Sequence, residues 1–250
     1  TLWHTLSLHD ALPISGAPSG HAMQHLDRFG TNPILRADGR FFYLRDVASG
    51  DIWSPGWWPA AAALERFECV HAPGFTTITS QRGGVACRLR AFVPQTEPCE
   101  VWTVELTNHR PQTAALQLFS VADWLLQERP ATADLDYLTA SYHPQLGMLM
   151  ACNHVPRQAH RFFCGFIAAT PAPVGYDSGR AAFLGAPAVV SRPRAVQQGA
   201  CTNSEAAAEP LIGALQHEFT LEPEASARCD LFIGAANDLP LVRKILDRLR

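Results

Sequence analysis

The chain has 250 residues, of which 47% are hydrophobic and 17% are charged, and its formal net charge is −3. This composition is typical of a globular protein with a buried core and excludes a disordered chain. The small negative charge provides no attraction to phosphate backbones or anionic lipid, so we expect no nucleic-acid partner. No stretch reaches the roughly 20 apolar residues of a membrane helix, and we expect no membrane partner either.

The first 20 residues are excluded from the fold prediction. They lack the basic start of a secretory signal, and the string SLHDALPI within them is similar to a translated sequencing adapter. We interpret residues 1–20 as a non-native or disordered leader.

The cysteines favour a reducing environment. They are odd in number, widely spaced and mostly set among apolar residues, whereas a disulfide framework is typical of short secreted chains. We therefore predict a cytoplasmic protein. The seven are Cys69, Cys87, Cys99, Cys152, Cys164, Cys201 and Cys229.

From residue 40 onward the pattern is that of short strands separated by turn residues. Segment 41–46 lies between two turns and predicts a hairpin before the aromatic segment DIWSPGWWP. Segments 75–80 and 85–93 are predicted strands joined through a Gly-Gly turn, the second with one buried and one wet face. Segment 100–108 alternates in the same way, and 114–121 is its expected antiparallel neighbour.

Three later strands are predicted at 160–169, 215–221 and 228–236, each bounded by Pro, Gly or Asn. After Asn237-Asp238 the period changes, because apolar residues from Leu241 to Leu249 share one helical face. A short amphipathic helix is marginal alone. We expect its apolar face to pack on chain beyond Arg250 rather than on the sandwich.

Five segments in order resemble the amino-terminal domain of glycoside hydrolase family 94, over about residues 28–240. They are RFFYLRDVASGDIWSPGWWP, FECVHAPGFTTITSQRGGV, FVPQTEPCEVWTVELTN, YDSGRAAFLG and CTNSEAAAEPLIGALQHEFTLEP. Segment 128–156 departs from the pattern of cellobiose phosphorylases, and Gly179-Arg180 stands where an acid-Arg pair often precedes the FLG landmark. These departures leave the substrate of the parent enzyme open.

The resemblance implies an all-β fold: a large antiparallel β super-sandwich of the galactose mutarotase type with a short C-terminal linker helix. The implied domains are the sandwich at 21–236 and, from 237, the start of a linker to a missing (α/α)6 catalytic barrel. It also implies inverting phosphorolysis of β-linked oligosaccharides in a homodimer. Inorganic phosphate is then a co-substrate and no cofactor is expected. A single acid protonates the leaving oxygen, and we expect it beyond Arg250, so we assign no catalytic residue here and expect this piece to be inactive alone.

Trp53, Trp57 and Trp58 form the densest aromatic cluster of the sequence. Aromatic faces pack well on apolar surfaces, which allows either a platform for pyranose rings or packing against the core or the barrel. We favour packing and keep the sugar platform as a candidate. Arg45 and Asp46, at the end of the preceding strand, are candidates for contacting hydroxyl groups, with a solvated ion pair as the alternative.

Asp177 and Arg180 lie in the segment that carries the FLG landmark. An arginine with a nearby carboxylate can bind sugar hydroxyls in bidentate fashion, and a loop-fixing salt bridge between the two is the favoured alternative. Asp123, Asp134 and Asp136 are acids without a predictable partner, and we assign them no role.

Cys69 and His71 are two apart on a predicted strand and share one face, as the first half of a metal site does. Zinc requires four ligands, usually in two close pairs, and no second pair has suitable spacing. We therefore predict no metal site. Two further hypotheses for the whole chain stay open: a stand-alone carbohydrate-binding sandwich, and a structural module of another enzyme.

Overall fold

A computed structural model describes residues 20–21, 24–27, 39–127, 135–154 and 163–250. Apart from Gly20, the predicted leader lies outside these residues, as does part of segment 128–156. The strands are β1 (Gly20–His21), β2 (Gln24–Asp27), β3 (Arg40–Asp46), β4 (Ile52–Trp53), β5 (Arg66–Ala72), β6 (Phe75–Arg82), β7 (Val85–Phe92), β8 (Cys99–Asn108), β9 (Ala114–Ala122), β10 (Trp124–Gln127), β11 (Leu138–His143), β12 (Met148–Asn153), β13 (Phe163–Thr170), β14 (Gly175–Gly179), β15 (Leu211–Leu221) and β16 (Ser226–Ala236). The helices are α1 (Arg180–Leu184), α2 (Arg194–Gln198) and α3 (Leu239–Leu249).

Two antiparallel sheets face each other across the main core. The large sheet has the order β11-β12-β13-β16-β8-β7-β6-β5, and the small sheet has the order β14-β15-β9-β3-β4. In a third sheet, β1-β2-β10, two early strands pair with β10, which directly follows β9 in the chain. The predicted all-β super-sandwich is confirmed. No helix within the described ranges is long and apolar enough to span a membrane.

The alternation of apolar residues and arginines along β7 shows how the sequence determines which face of the strand is buried. Val85, Cys87, Leu89 and Ala91 are buried in the main core, while the intervening arginines point away from it. Because successive side chains in a strand point to opposite faces, alternation is enough to fix which face is covered. The predicted strand and its one-sided burial are confirmed.

One predicted pairing is wrong. β9 is not the neighbour of β8: β8 pairs with β7 and β16, whereas β9 pairs with β3 and β15 in the small sheet. The loop after β8 crosses from one sheet to the other, as does the loop between β15 and β16. Asn108 is fully buried at this crossing, and its Nδ2 donates to the carbonyls of Gln112 and Leu221 at 2.9 Å each. A short loop spans facing sheets as readily as adjacent strands, so its length could not decide between them.

The apolar face of α3 packs on the outer surface of the large sheet. Val242, Ile245 and Leu246 are buried in a cluster that contains Phe166 and Phe232. Along β8 and β16 the outward-facing residues change from apolar, beneath the helix, to polar beyond it. The expectation that this face awaits chain beyond Arg250 is therefore wrong, because the sandwich itself supplies the partner.

The ends of α3 are fixed by polar contacts. The Asp238 carboxylate accepts from the Leu241 N–H at 2.8 Å and caps the first turn. At the other end the Arg248 guanidinium lies 2.7 Å from Glu97, and Arg250 donates to the carbonyls of Leu146 and Ala169. The helix is thus held at both ends as well as along its face.

The outer face of the small sheet carries a separate cluster. Phe41, Tyr43 and Phe119 pack there against Phe183 of α1 and Val196 of α2. Sequence analysis predicted neither helix, because five residues are too few to show a helical period.

Two cysteines are paired, contrary to the expectation of a disulfide-free chain. Cys152 on β12 and Cys164 on β13 are direct partners in the ladder and form a disulfide, with Cα atoms 4.1 Å apart. The other five cysteines are free. Spacing along the sequence did not reveal the pair, since the strand register brings the two residues together.

Candidate functional site

The tryptophan loop, residues 54–65 between β4 and β5, presents the most exposed aromatic pair of the predicted cluster. Trp57 is 50% exposed and Trp58 is 42% exposed, with ring centroids 6.2 Å apart. Trp53, in contrast, is buried in the main core and pairs with Leu44 across the β3–β4 hairpin. The predicted three-tryptophan cluster therefore divides into one core residue and two surface residues.

The loop is held by internal hydrogen bonds and by packing on both layers of the sandwich. The Trp57 N–H donates to the Ser54 carbonyl at 2.9 Å, and the Ala60 N–H donates to the Ser54 hydroxyl at 3.3 Å. Ala60 packs on the outer cluster of the small sheet, whereas Leu64 packs on the main core. The loop thereby bridges both layers and projects the two indoles outward.

An ion pair that sequence analysis missed anchors the loop. The Arg82 guanidinium binds the Asp51 carboxylate with two hydrogen bonds, Nε to Oδ2 at 2.6 Å and Nη2 to Oδ1 at 3.0 Å. Its third nitrogen donates to the Ala63 carbonyl. The bond to Asp51 raises the pKa of Arg82. Arg82 thus joins β6, the β3–β4 turn and the end of the tryptophan loop, which are 31 and 19 residues away from it in sequence.

Trp57 has a backbone conformation that is uncommon for a large side chain. Its φ is 69°, in the left-handed region that favours glycine. Such a conformation costs about 1–3 kcal/mol and is concentrated at binding and switch sites. The combination of strain and exposure makes the Trp57–Trp58 pair the strongest candidate surface of the loop.

Arg45 and Asp46 do not form the predicted solvated pair, because neighbouring residues of β3 point to opposite faces. Arg45 lies on the outer face of the small sheet and donates to Gln117 at 3.1 Å. Asp46 is buried and binds Arg110 and the Ser49 N–H. Burial alone would raise the pKa of Asp46, but the bonds from Ser49 and Arg110 lower it overall. Asp46 is a structural anion here.

Asp177 is fully buried and organises a connection of the chain. Its Oδ1 accepts from the backbone N–H and the hydroxyl of both Thr202 and Ser204, at 2.6–3.1 Å. In this position the carboxylate is out of reach of a sugar in solution. Its thiol neighbour Cys201 has a raised pKa, chiefly through burial and also through the charge of Asp177.

Arg180 pairs with Asp123 instead of the predicted Asp177. Its Nε lies 3.0 and 3.3 Å from the two carboxylate oxygens of Asp123, which is buried at the end of β9. The two residues are 57 positions apart, and no local pattern in the sequence links them. The favoured interpretation of a structural salt bridge is correct in kind and wrong in partner.

The seven predicted residues therefore do not form one site. Only Trp57 and Trp58 present aromatic faces to solvent, and the acids among the seven are engaged by donors of the fold. Within the part of the chain that the structure describes, no group of three or more His, Cys, Asp or Glu side chains is suited to hold a metal ion. The two exposed indoles can pack on an apolar surface, and the two acids among the seven residues, Asp46 and Asp177, are held by donors of the fold.

Comparison with known proteins agrees with this architecture. The family model described as "Glycosyl hydrolase 94, supersandwich domain" matches residues 18–250. The chain belongs to this family. Solabiose phosphorylase of Paenibacillus borealis is 35% identical over 221 residues, covering 88% of this chain and 29% of that protein. N,N'-diacetylchitobiose phosphorylase of Vibrio proteolyticus is 28% identical over 212 residues, covering 83% and 26%.

The family 94 chain thus spans less than a third of the length of these relatives. Among solved structures, a bacterial glucoamylase complexed with acarbose superposes with a TM-score of 0.52 at 7% identity, over 84% of this chain and 28% of the glucoamylase. At that identity the similarity concerns the fold alone. The family predicted from the five sequence landmarks is confirmed.

Proposed function

We propose that this chain is the non-catalytic scaffold of an inverting β-glycoside phosphorylase, and that its tryptophan loop forms part of the rim through which the sugar reaches a barrel encoded further along the gene. The observation that carries the proposal is the match of residues 18–250 to the supersandwich domain, together with relatives named as phosphorylases that are more than three times as long. Phosphate is the co-substrate in this proposal, and the parent enzyme is a homodimer.

The environment of three aspartates supports this division of labour. An inverting phosphorylase needs one acid to protonate the leaving oxygen while phosphate attacks the anomeric carbon. Asp46, Asp123 and Asp177 are buried and bound to donors of the fold. The scaffold role uses features that the described residues offer, namely a sandwich with two exposed indoles on a strained loop.

The gene itself tests the proposal. We expect the reading frame to continue past Arg250 for several hundred residues of predicted helix with an acidic catalytic site. A stop codon directly after Arg250 would instead favour the second candidate, a stand-alone carbohydrate-binding sandwich, for which the exposed Trp57–Trp58 pair is the specific supporting observation.

Calorimetry with cellobiose tests the indoles. In the isolated chain we expect weak binding that Trp57→Ala and Trp58→Ala each reduce, because packing of an apolar surface on one aromatic ring face is worth roughly 1 kcal/mol. Tyr137→Ala, at another exposed aromatic residue, is the matched control and leaves binding unchanged. A clear heat signal that survives both tryptophan substitutions would remove the platform from the proposal.

A further inference from the structure

Among the described strands, β5 is an edge strand of the large sheet, and it carries a cysteine and a histidine on the same face. β5 pairs only with β6, so the backbone groups along its other side lack a ladder partner within the described chain. Phe67 is 50% exposed and Val70 is 47% exposed. Open edges of this kind are where a second chain adds to a sheet.

Cys69 and His71 of this strand are already spaced as two ligands of one tetrahedral ion. The Cys69 Sγ lies 3.7 Å from the His71 Nε2. A tetrahedral zinc ion with Zn–S near 2.3 Å and Zn–N near 2.0–2.1 Å holds such atoms about 3.6 Å apart. The Sγ–Nε2 separation therefore already matches that of two ligands of one tetrahedral ion.

The other nitrogen of the imidazole is engaged in a way that orients the ring. His71 Nδ1 lies 3.1 Å from the hydroxyl of Thr76, which is buried on the adjacent strand β6. When Nδ1 carries the proton and donates to Thr76, the lone pair of Nε2 faces Cys69. Metal-binding histidines are usually fixed through their second nitrogen in this manner.

One chain supplies only two ligands, and no third His, Cys, Asp or Glu joins them in the described residues. Antiparallel pairing of β5 with β5 of a second copy, about an axis through Val70, sets Cys69 opposite His71 of that copy and the reverse. Directly opposite residues have Cβ atoms about 4.5–5.5 Å apart on the same face. This register places two Cys and two His around one point and covers Val70 with its symmetry mate.

We propose that Cys69 and His71 form half of a Cys2His2 site for zinc or a similar thiolate-binding divalent cation, completed by the same residues of a second copy paired through the β5 edge. Metal binding and edge pairing are then one event, because each copy alone lacks two ligands. This metal site does not depend on the role that we propose for the tryptophan loop in the phosphorylase.

The test uses the full chain, stripped of metal by EDTA and kept under argon without reductant so that the Cys152–Cys164 bond is retained. Cobalt(II) is the probe, followed by zinc. We expect a thiolate-to-cobalt absorption band that saturates at one metal per two chains, a doubling of the mass in light scattering, and displacement of the band by zinc. Cys69→Ser and His71→Ala abolish both signals, whereas Cys201→Ser, at another free cysteine, leaves them unchanged.

Two further variants separate ligation from pairing. Val70→Glu sets like charges opposite each other at the axis and prevents the dimer, whereas Thr77→Glu, on the same outer face one strand inward and opposite Arg90, does not. Thr76→Val weakens cobalt binding about 10-fold, as loss of an orienting contact does. The proposal is overturned if the folded wild-type chain gives no thiolate band, if the band persists in Cys69→Ser, or if binding saturates at one metal per monomer.

Discussion

Replacement of Leu246 by alanine measures how firmly α3 is docked on the large sheet. Leu246 is completely buried in the cluster that α3 forms with the outer face of the large sheet. Alanine removes three carbon atoms, worth about 0.8 kcal/mol each in transfer from water. The cavity left behind adds to this, and comparable substitutions cost about 2–5 kcal/mol. We expect a loss of about 3 kcal/mol in the free energy of unfolding.

Leu241 provides the matched control, because it lies on the same helix and is 38% exposed. Leu241→Ala changes the helix propensity by the same amount but loses less burial, so we expect a cost below about 1 kcal/mol. The assay is urea unfolding followed by fluorescence, with thermal unfolding as a check. For a chain of this size, 3 kcal/mol corresponds to a decrease of about 6–12 °C in Tm. Equal, small effects of the two substitutions would show that α3 is undocked in solution.

Three other measurements address buried polar groups and the disulfide. Arg180→Met deprives the buried Asp123 carboxylate of its guanidinium partner, and we expect urea unfolding to show a loss of about 2 kcal/mol; an unchanged midpoint would mean that the pair contributes nothing. Burial lowers the pKa of His217 to about 4, although a contact with the Pro171 carbonyl opposes the shift. Between pH 6.5 and 4 the unfolded chain therefore binds a proton that the folded chain does not. The free energy of unfolding therefore decreases as the pH is lowered from 6.5 to 4, by up to about 1.4 kcal/mol per pH unit. His217→Gln reduces this pH dependence, and identical pH profiles of the two proteins would contradict the assignment. Reducing the Cys152–Cys164 bond, which closes a loop of 12 residues, should cost about 3 kcal/mol by loop entropy, and a chain with seven titratable thiols before reduction would refute the pairing.

The sequence predicted a strand and its buried face wherever the other face of that strand is exposed to solvent. In β7 the arginines alternate with apolar residues, so local pattern and final burial agree. The same pattern could not assign β9 to its sheet, because alternation reports the face of a strand and not its neighbour. The tertiary partner of α3 was misjudged for a related reason: amphipathicity shows that a helix needs a covering surface but does not say which one.

The candidate site was predictable only in part. The aromatic density of segment 51–59 identified the loop, yet only the structure separates buried Trp53 from exposed Trp57 and Trp58. The anchoring bonds join residues that are far apart in the chain, Arg82 to Asp51 and Arg180 to Asp123, and such pairs leave no periodic signal. The Cys69–His71 pair was visible from its spacing, whereas the open edge of β5, on which its proposed completion depends, appears only once the strand order is known.

The most direct test of the scaffold assignment is an assay for sugar 1-phosphate. The purified chain is incubated with inorganic phosphate and β-linked disaccharides such as cellobiose and N,N'-diacetylchitobiose, next to the product of the complete gene. We predict release by the complete enzyme on at least one β-linked substrate and no release above background by residues 1–250 alone. Turnover by the isolated chain would contradict the account, because its acids would then have to supply the catalytic proton.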